Sequence, residues 1–321
     1  MPKDFTEQQG QSRKVVAIIV NWNSRADTLE CLASLEKSTY DNLQILVVDN
    51  GSADGSVDAI QSQFHHVTVI ETGANLGYGA ACNVGIAHAM REGADYFFLL
   101  NADMKIDPSA ISELVALCEQ FPMVGVAGPT EYFYATPDMI QQFGGMIELT
   151  RAQVRDLYIY EIDHGQLPPT REVTCIGGGV MFVRRRALEQ IGGFDPIFFL
   201  YCEEIDLELR IMQAGYKLMV TSRAKVWHKW YGASGGKPNA TVKYNYFRSW
   251  MILGRRYLRG ADRAIFYFFY FVARLLRFVV GCLARRNWEL IIPALRGAYD
   301  GMREKRACQP APETFTAHAK V

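Results

Sequence analysis

Tyr96-Phe-Phe-Leu-Leu-Asn-Ala-Asp103 is the segment that decides the fold of this chain. Its apolar run, Tyr96 to Leu100, is typical of a strand buried on both faces, as the strands of parallel sheets are. The run stops at Asn101, and Asp107-Pro-Ser109 shortly after it predicts the start of a helix. Polar groups at the carboxyl end of such a strand stand where open α/β sheets bind their ligands.

Asp103 has two interpretations at this point. A carboxylate beside the amide oxygen of Asn101 suits a hard divalent cation, Mg²⁺ or Mn²⁺, that also holds phosphate oxygens. Alternatively, Asp103 only caps the segment that follows it. The strand by itself does not separate the two.

Composition narrows the class of protein. A chain of 321 residues predicts one large domain with an appendage, and a formal net charge of zero predicts no attraction to nucleic acid. Seven cysteines without a C-x-x-C pair argue against a disulfide framework or a zinc knuckle, and favour a reducing, cytosolic setting. The segment Met1–Lys14 is polar, so we expect no signal peptide there.

Two earlier strands end on polar residues in the same way. Val15–Val20 is apolar and leads into Asn21-Trp-Asn23, and Leu43–Val48 leads into Asp49-Asn-Gly51. The leucines between them have helical spacing. Strands that alternate with helices and share one polar edge predict an α/β fold, with a mostly parallel sheet flanked by helices.

Glycines mark two further places. Gly77-Tyr-Gly79 opens a helix after a strand, as in a dinucleotide-binding fingerprint, but Cys82 replaces the third glycine and this is not the first βα turn. We therefore set a dehydrogenase aside and expect these small residues to let the helix pack closely. Gly177-Gly-Gly179 enters a strand, which indicates either close approach to a ligand or a β-bulge. The Arg184-Arg-Arg186 run after it predicts a solvated turn.

Three acids crowd the start of a predicted helix at Glu203, Glu204 and Asp206. Carboxylates are favourable there because of the helix dipole, so capping is one interpretation. Three acids in four residues also repel one another, and burial would raise the pKa of one of them towards that of a useful base. We favour the functional interpretation. For His228, after the last strand, both packing and a role at a metal or phosphate stay open.

Taken in order, these blocks resemble the family 2 glycosyltransferases, inverting nucleotide-sugar enzymes of the GT-A (Rossmann-like) fold, and especially their rhamnosyltransferase-like branch. The similarity extends from about Val15 to Ser234. The motifs that carry it are Asn21-Trp-Asn23, Val48-Asp-Asn-Gly-Ser52, Asn75-Leu-Gly-Tyr-Gly79, Asn101-Ala-Asp103, Gly192-Gly-Phe-Asp195, Glu203-Glu-Ile-Asp-Leu207, and His228 with Gly232 and Ser234.

The resemblance implies a site for a nucleotide-diphosphate sugar donor, with Asp49 on the nucleotide base. The residues implied to form it are Asn21, Asn23, Asp49, Asn50, Gly51, Asn75, Gly77, Gly79, Asn83, Asn101 and Ala102. Asp103 and His228 are implied to hold the divalent cation. Asn101 stands where many members have the first acid of a D-x-D motif, which leaves one charge fewer on the metal.

The resemblance also implies the catalytic group. Glu204 takes the place of the usual aspartate as general base, with Glu203 and Asp206 beside it. Gly178, Gly179 and Asp195 are implied to lie on the acceptor side. The alternative from another class is a non-catalytic nucleotide-sugar-binding or scaffold subunit, which would need Asp49 but no base.

We predict three regions: a polar tail at 1–14, a GT-A domain at 15–236 and a helical region at 237–321. Ala264–Leu283 is long enough to span a bilayer, but Arg274 and Arg277 near its middle make spanning costly. On a helix these arginines share a stripe with Arg263, Tyr267 and Tyr270, which is typical of a helix lying in the membrane plane.

The alternatives for this helix are packing on the catalytic domain or in a homodimer. The expected partners are a nucleotide-sugar donor, a lipid-linked or polysaccharide acceptor of cell-envelope glycan synthesis, and an anionic membrane surface. The expected location is the cytoplasmic, inner face of the cell membrane, where the protein would be peripheral.

Overall fold

The computed structural model of the chain describes residues 12–229 and 239–308. Gly232 and Ser234, which belong to the predicted His228 motif, lie outside the described residues. The strands are β1 (Val15–Asn21), β2 (Leu43–Asp49), β3 (Thr68–Glu71), β4 (Tyr96–Asn101), β5 (Met104–Ile106), β6 (Val124–Phe133), β7 (Thr136–Gln142), β8 (Gly145–Glu148), β9 (Gln153–Asp156), β10 (Thr170–Val173), β11 (Val180–Arg184) and β12 (Lys217–His228).

Helices cover the sheet and follow it in the chain. They are α1 (Arg25–Leu35), α2 (Ser56–Gln63), α3 (Tyr78–Arg91), α4 (Ala110–Gln120), α5 (Arg185–Ile191), α6 (Glu203–Gln213), α7 (Ala240–Tyr257), α8 (Gly260–Arg285) and α9 (Ile291–Arg303). The middle of α8, Phe269–Leu276, is π-helical.

The main sheet has the order β10-β12-β6-β11-β4-β1-β2-β3. Its β1, β2, β3 and β4 portion is parallel, as predicted. β11, however, lies antiparallel between β4 and β6, so the sheet is mixed rather than mostly parallel. The reason is that a run of apolar residues predicts burial on both faces but carries no information on strand direction. β8 and β9 form a separate antiparallel pair in the Phe143–Tyr160 region.

Close packing of α3 on the sheet explains the small residues at its start. A Cβ atom on Gly85 would lie 2.5 Å from Cγ2 of Ile18 in β1, and one on Gly79 would lie 2.9 Å from Cβ of Phe194. These distances are shorter than van der Waals contacts, so only glycine allows the helix to approach this closely. The prediction of close helix packing is confirmed.

Arg184 is not part of a solvated turn, as the sequence predicted, but the last residue of β11. Its guanidinium donates hydrogen bonds to the carbonyl oxygen of Val124 at 2.8 Å and to that of Phe121 at 3.5 Å. Arg185 then begins α5. The arginine fork satisfies backbone acceptors at the end of the neighbouring helix and strand, which a charge count along the sequence does not reveal.

The C-terminal helices share a core with the α/β domain. Phe247, Trp250 and Leu253 of α7 are buried with Phe198 and Ile205 in one apolar cluster. Residues 239–308 therefore pack on the α/β domain. This packing also orients α8, because Phe266 and Tyr270 of that helix belong to the same buried cluster.

Candidate active site

A cleft of about 1060 Å³ opens at the carboxyl ends of β1, β2 and β4. This is the edge at which the sequence places polar residues after each strand. The predicted site residues that line the cleft are Asn50, Asn75, Gly77, Asn101, Ala102, Asp103, Gly178, Gly179 and His228. The structure thus brings together residues from blocks that are more than a hundred positions apart in the chain.

Asn50 organises the wall after β2. Its Nδ2 donates to Oδ1 of Asn75 at 3.1 Å, and its Oδ1 accepts a hydrogen bond from the backbone N–H of Leu76 at 2.9 Å. Gly77 follows with φ +85°, and a Cβ there would lie 2.4 Å from the carbonyl oxygen of Phe199. The loop before α3 is consequently fixed against both β2 and the segment that leads into α6.

Asp49 and Asn21 lie beneath this wall rather than on it. Both are buried, and Nδ2 of Asn21 donates to Oδ2 of Asp49 at 2.7 Å. Oδ1 of Asp49 accepts from the backbone N–H of Ser52 at 2.9 Å, and Oδ1 of Asn21 accepts from Thr28 at 2.8 Å. In this structure the two side chains hold the loops after β1 and β2 together.

Four other predicted binding residues also shape loops. Asn23 has φ 50° and accepts from the backbone N–H of Ala53 at 2.8 Å. Gly51 has φ +80°, and a Cβ there would meet the backbone of Ala74 at 2.7 Å. Asn83 joins α3 to Phe194 by two hydrogen bonds, at 2.8 and 2.9 Å, close to where Gly79 packs. Nearby, Trp22 lines the cleft with 42% of its surface exposed.

Asp103 and His228 meet across the cleft. Oδ1 of Asp103 lies 3.3 Å from Nε2 of His228, whose Nδ1 is 2.8 Å from Nε2 of Gln141 and 3.8 Å from Oε2 of Glu131. Burial opposes the charged imidazolium, but the hydrogen bond and negative charge of Asp103, with the charge of Glu131, raise the pKa of His228 above its ordinary value. Burial raises the pKa of Glu131 to about 7.

This donor set fits a divalent cation that is shared with a substrate. A carboxylate from the turn between β4 and β5 and an imidazole from the end of β12 converge, with the amide of Asn101 on the same wall. Within residues 12–229 and 239–308 no three His, Cys, Asp or Glu side chains group as metal ligands. The remaining coordination positions would therefore belong to phosphate oxygens and water, as is usual for Mg²⁺ beside phosphates.

The glycine triplet lies between the metal-side residues and α6. A Cβ on Gly179 would be 3.4 Å from Nδ2 of Asn101 and 3.5 Å from Cε1 of His228. A Cβ on Gly178 would be 3.3 Å from Cβ and Cγ of Glu204. The triplet therefore lies between Glu204 and the pair of Asp103 and His228, which line the cleft. Neither Glu203 nor Glu204 lines the cleft itself, and Glu204 lies directly behind Gly178, which does.

Helix α6 begins at Glu203 and Glu204, directly after two residues with an unusual backbone conformation. Tyr201 and Cys202, just before them, have φ 65° and 66°, the left-handed region that non-glycine residues rarely adopt. Burial, and then the charge of Glu204, raises the pKa of Glu203 well above its ordinary value. Burial also raises the pKa of Glu204, against backbone N–H groups that favour its carboxylate form.

Asp206 and Asp195 have a different environment from the one predicted. Oδ1 of Asp206 pairs with Nη1 of Arg256 at 2.7 Å, and its Oδ2 pairs with Nε of Arg210 at 2.8 Å. Oδ2 of Asp195 pairs with Nη2 of Arg256 at 2.8 Å. Neither aspartate is among the residues that line the cleft, because both are engaged by buried guanidinium groups. We give them a structural role.

Sequence reasoning missed four polar residues that line the cleft: Glu131, Gln141, Gln142 and Asp156. They come from β6, β7 and β9. In the structure, Glu131 and Gln142 are cross-strand partners in the hairpin of β6 and β7. A lone acid inside the apolar run of β6 could have drawn attention to that hairpin.

Two solved structures define the class of the fold. One is GalNAc-T7 with UDP, GalNAc and Mn²⁺, with a TM-score of 0.59 and 19% identity over 74% of this chain and 47% of that chain. The other is the mannosyltransferase PcManGT of Pyrobaculum calidifontis with GDP-Man and Mn²⁺, with a TM-score of 0.57 and 16% identity over 92% and 88% of the two chains. Both are GT-A glycosyltransferases, so the predicted fold class is confirmed.

Sequence comparison defines the family. The profile of glycosyl transferase family 2 matches residues 16–192. The chain is 30% identical over 245 residues to an N-acetylglucosaminyl-diphospho-decaprenol L-rhamnosyltransferase of Mycobacterium tuberculosis, covering 70% of this chain and 79% of that protein. It is 27% identical over 208 residues to the low-salt glycan biosynthesis hexosyltransferase Agl10 of Haloferax volcanii, covering 62% of each. The chain belongs to glycosyl transferase family 2, and it is a glycosyltransferase.

Proposed function

We propose that this protein transfers rhamnose from dTDP-rhamnose to a hydroxyl group of a lipid-linked or polysaccharide acceptor, with inversion at the sugar carbon. One observation carries the proposal: Asp103 with His228, and Glu204, lie on opposite sides of the same glycine triplet. The choice of sugar rests on the rhamnosyltransferase of Mycobacterium tuberculosis, whose name also states a lipid diphosphate acceptor.

Asp103 and His228 are the residues that would hold a divalent cation, Mg²⁺ or Mn²⁺, at the diphosphate. When bound, such a cation stabilises the negative charge that develops on the departing nucleoside diphosphate. His228 is held towards Asp103 by Gln141 on its other ring nitrogen. The loops held by Asn21 and Asp49, with Asn50 and Asn75 on the wall, bind and orient the nucleotide end of the donor.

Glu204 is the general base in this mechanism. Its raised pKa makes the carboxylate a stronger proton acceptor than an exposed glutamate would be. Glu203 is buried beside it, and burial together with the charge of Glu204 raises the pKa of Glu203 well above its ordinary value. Glu204 takes the proton of the acceptor hydroxyl as that oxygen attacks from the side opposite the diphosphate, which gives inversion.

A transfer assay with the full chain tests the proposal. We expect turnover of dTDP-rhamnose with a lipid-linked N-acetylglucosaminyl diphosphate acceptor, and little or none of UDP- or GDP-sugars, in the presence of Mg²⁺ or Mn²⁺. NMR of the product would give its anomeric configuration. Binding of the nucleotide sugar without transfer to any acceptor would favour the alternative of a non-catalytic scaffold subunit.

The acceptor suggests a place for the protein, the inner face of the cell membrane, and α8 and α9 offer a surface for it. By length and hydropathy α8 could cross a membrane. The part of its polar stripe at Tyr270 and Arg274, however, faces the protein, because Tyr270 is buried and the guanidinium of Arg274 lies 5.5 Å from the ring centroids of Tyr246 and Trp250. Arg277, the last residue of the stripe, is exposed. The apolar side of α8 is exposed instead. This is the reverse of the orientation in which the polar stripe of a helix faces water.

The exposed apolar side chains repeat at helical spacing on both helices. They are Ile265, Phe268, Val272, Leu276, Val280 and Leu283 on α8, then Trp288, and Ile292, Leu295, Tyr299 and Met302 on α9. Arg259, Arg277, Arg285, Arg286 and Arg296 are exposed beside them. We call these exposed apolar residues of α8 and α9, with Trp288 and the arginines, the membrane face. Apolar groups together with cations match the interface of an anionic bilayer, and we propose that the membrane face lies on such a bilayer.

Vesicle sedimentation tests the membrane face. Phe268→Ser with Leu276→Ser should reduce binding to phosphatidylglycerol-containing vesicles at least about tenfold, because a buried methylene contributes about 0.8 kcal/mol. Met123→Ser, which changes an exposed methionine on the catalytic domain, is the matched control. If the double variant sediments like the parent but loses a dimer in ultracentrifugation, a second copy covers this face and the bilayer proposal is wrong.

A further inference from the structure

The mechanism above gives no role to the polar cluster of Glu131, Gln141, Gln142 and Asp156. All four residues line the same cleft as Asp103 and the glycine triplet. A Cβ on Gly177 would lie 3.1 Å from Oε1 of Glu131, so the cluster is next to the triplet in space. It borders the region in which a sugar must sit if the diphosphate and the base are placed as proposed.

Gln142 builds the cluster onto the triplet. Its Oε1 accepts from the backbone N–H of Gly177 at 2.8 Å, and its Nε2 donates to Oδ1 of Asp156 at 2.8 Å. Oδ2 of Asp156 takes no hydrogen bond from the residues that the structure describes. The side-chain amide of Gln142 is thus fixed by hydrogen bonds at both its oxygen and its nitrogen. It holds the Asp156 carboxylate in the wall of the cleft and leaves Oδ2 of Asp156 available to a ligand.

Glu131 is the more deeply placed acid. It lines the cleft although only 4% of its surface is exposed, and its nearest cationic atom is Nδ1 of His228 at 3.8 Å. Among residues 12–229 and 239–308 no group donates a hydrogen bond to its carboxylate. Beside it, Gln141 is 5% exposed, and its Oε1 has no hydrogen-bond partner in the same ranges. A buried acceptor that is left without a donor, as Oε1 of Gln141 is, destabilises the folded protein unless a ligand supplies the donor.

These acceptors need a ligand that brings hydrogen-bond donors. A carboxylate accepts only, and a sugar ring offers several hydroxyl donors at fixed spacing. Tyr201, 37% exposed and also on the cleft, adds an aromatic surface on which a sugar ring can pack.

We propose that Glu131 and Asp156 bind hydroxyl groups of the reacting sugars and so set which sugar the enzyme accepts. This subsite rests on the proposed function, because it assumes that a nucleotide sugar and a sugar acceptor meet in the cleft. The hydroxyl groups belong either to the sugar of the donor or to the sugar of the acceptor. Both present the same chemistry, and binding measurements distinguish them.

The experiment compares Glu131→Gln and Asp156→Asn with the parent protein, and uses Glu172→Gln, an exposed acid, as control. Calorimetry with Mn²⁺ present gives the Kd of dTDP and of dTDP-rhamnose, and assays give the KM of the acceptor. Since a hydrogen bond to a charged group is stronger than one to a neutral group, losing the charge of either acid should weaken binding of the sugar that it contacts at least about tenfold. The Kd of dTDP, which has no sugar at this position, should change less than about twofold.

The two sources give different patterns. A weaker Kd for dTDP-rhamnose with unchanged dTDP assigns the subsite to the donor sugar. An unchanged Kd for both with a raised acceptor KM assigns it to the acceptor sugar. If folded variants leave both quantities within about twofold of the parent, the subsite is wrong while the proposed function stands. Failure of the parent protein to bind any nucleotide sugar would overturn the proposed function itself.

The Asp156→Asn variant distinguishes loss of the sugar contact from loss of the local structure. Its amide keeps an oxygen that can accept from Gln142, and Asp156 does not contact His228 in the described structure. A folded Asp156→Asn protein therefore tests the subsite even if Glu131→Gln disturbs the histidine or fails to fold.

Discussion

Arg256 of α7 donates from Nη1 to Oδ1 of Asp206 in α6 at 2.7 Å, and from Nη2 to Oδ2 of Asp195 at 2.8 Å. The three side chains are almost completely buried, at 7%, 0% and 8% exposure. These two ion pairs join the C-terminal helices to α6, the helix that contains Glu204. The start of α6 is thus held in place by Arg256, and both α6 and Arg256 lie beyond residues 16–192, the part of the chain that the family profile matches.

Arg256→Met should destabilise the protein by about 3–5 kcal/mol, because it leaves buried carboxylates without their partner. Urea unfolding followed by circular dichroism measures the change. Arg296→Met is the matched control, since the Arg296 side chain is 75% exposed and its loss should change stability by no more than about 0.5 kcal/mol. Equal midpoints for the two variants would show that the two ion pairs contribute little.

The ion pairs of Arg256 and the shared core rule out a simple truncation as a test of the membrane face. Removing everything after residue 237 would delete α7, whose Phe247 and Trp250 belong to a shared core. A truncated protein would lose its fold along with any membrane affinity. Substitutions on the exposed side of α8 leave that core intact, so they separate the two effects.

Asp103→Asn should weaken metal binding and transfer together. The change removes the only carboxylate that lies against Nε2 of His228 in the described residues, so the apparent Kd of Mn²⁺ in the presence of dTDP should rise at least about tenfold. Electron paramagnetic resonance of free Mn²⁺ measures this without turnover. Asp107→Asn is the control, because Oδ1 of Asp107 only accepts from Ser109 at the start of α4. Unchanged Mn²⁺ affinity would contradict the assignment.

The strands and the polar edge of the sheet could be predicted from the sequence, but the ion-pair and hydrogen-bond partners of each acidic residue could not. Apolar runs predicted β1, β2 and β4 because buried strands need them. Residues on an α-helix are rotated by about 100° each, so Asp206 points almost opposite to Glu204. That geometry separates the two acids, but it does not reveal that Arg256, 50 positions later, is the partner of Asp206.

Much of the cleft could not be predicted for a related reason. The side chains of Asp49 and Asn21 bond to each other across neighbouring strands, so a motif match alone cannot tell a loop-holding residue from one that faces the ligand. Gly178 was predicted to lie on the acceptor side, and it does line the cleft, but its contact with Glu204 could not be read from the sequence. Local pattern fixes which residues end a strand, whereas the packing of distant segments decides which of them face the cleft.

Glu204→Gln should lower kcat by about 10²–10⁴-fold, because the amide cannot accept the hydroxyl proton. The Kd of dTDP should stay within about twofold, since Glu204 does not contact the nucleotide wall. In the parent protein kcat/KM should rise with pH through the raised pKa of this base, and the variant should lose that rise. Glu189→Gln, an exposed acid of α5, is the control, and turnover near the parent rate in Glu204→Gln would reject the base.

Glu208 gives a stability prediction with a definite sign. It is fully buried, and burial raises its pKa well above the ordinary value, while its Oε1 accepts from the backbone N–H of Ile176 at 2.6 Å. Between the unfolded pKa of about 4.3 and the raised folded pKa, the native protein binds a proton that the unfolded chain has lost. The contribution of Glu208 to stability is therefore full below pH of about 4 and falls as pH rises through this window.

Glu208→Gln removes this titration but keeps an oxygen for Ile176. Because one pKa unit corresponds to about 1.4 kcal/mol, the free energy of unfolding of the variant should gain on the parent by up to about that amount for each pH unit from pH 5 upwards. Urea unfolding at pH 5, 6, 7 and 8 measures the difference, with Glu172→Gln as the exposed control. Glu203 and Glu204 titrate in both proteins, so their effects largely cancel. Parallel stability curves for parent and variant would mean that Glu208 ionises as readily in the folded protein as in the unfolded chain.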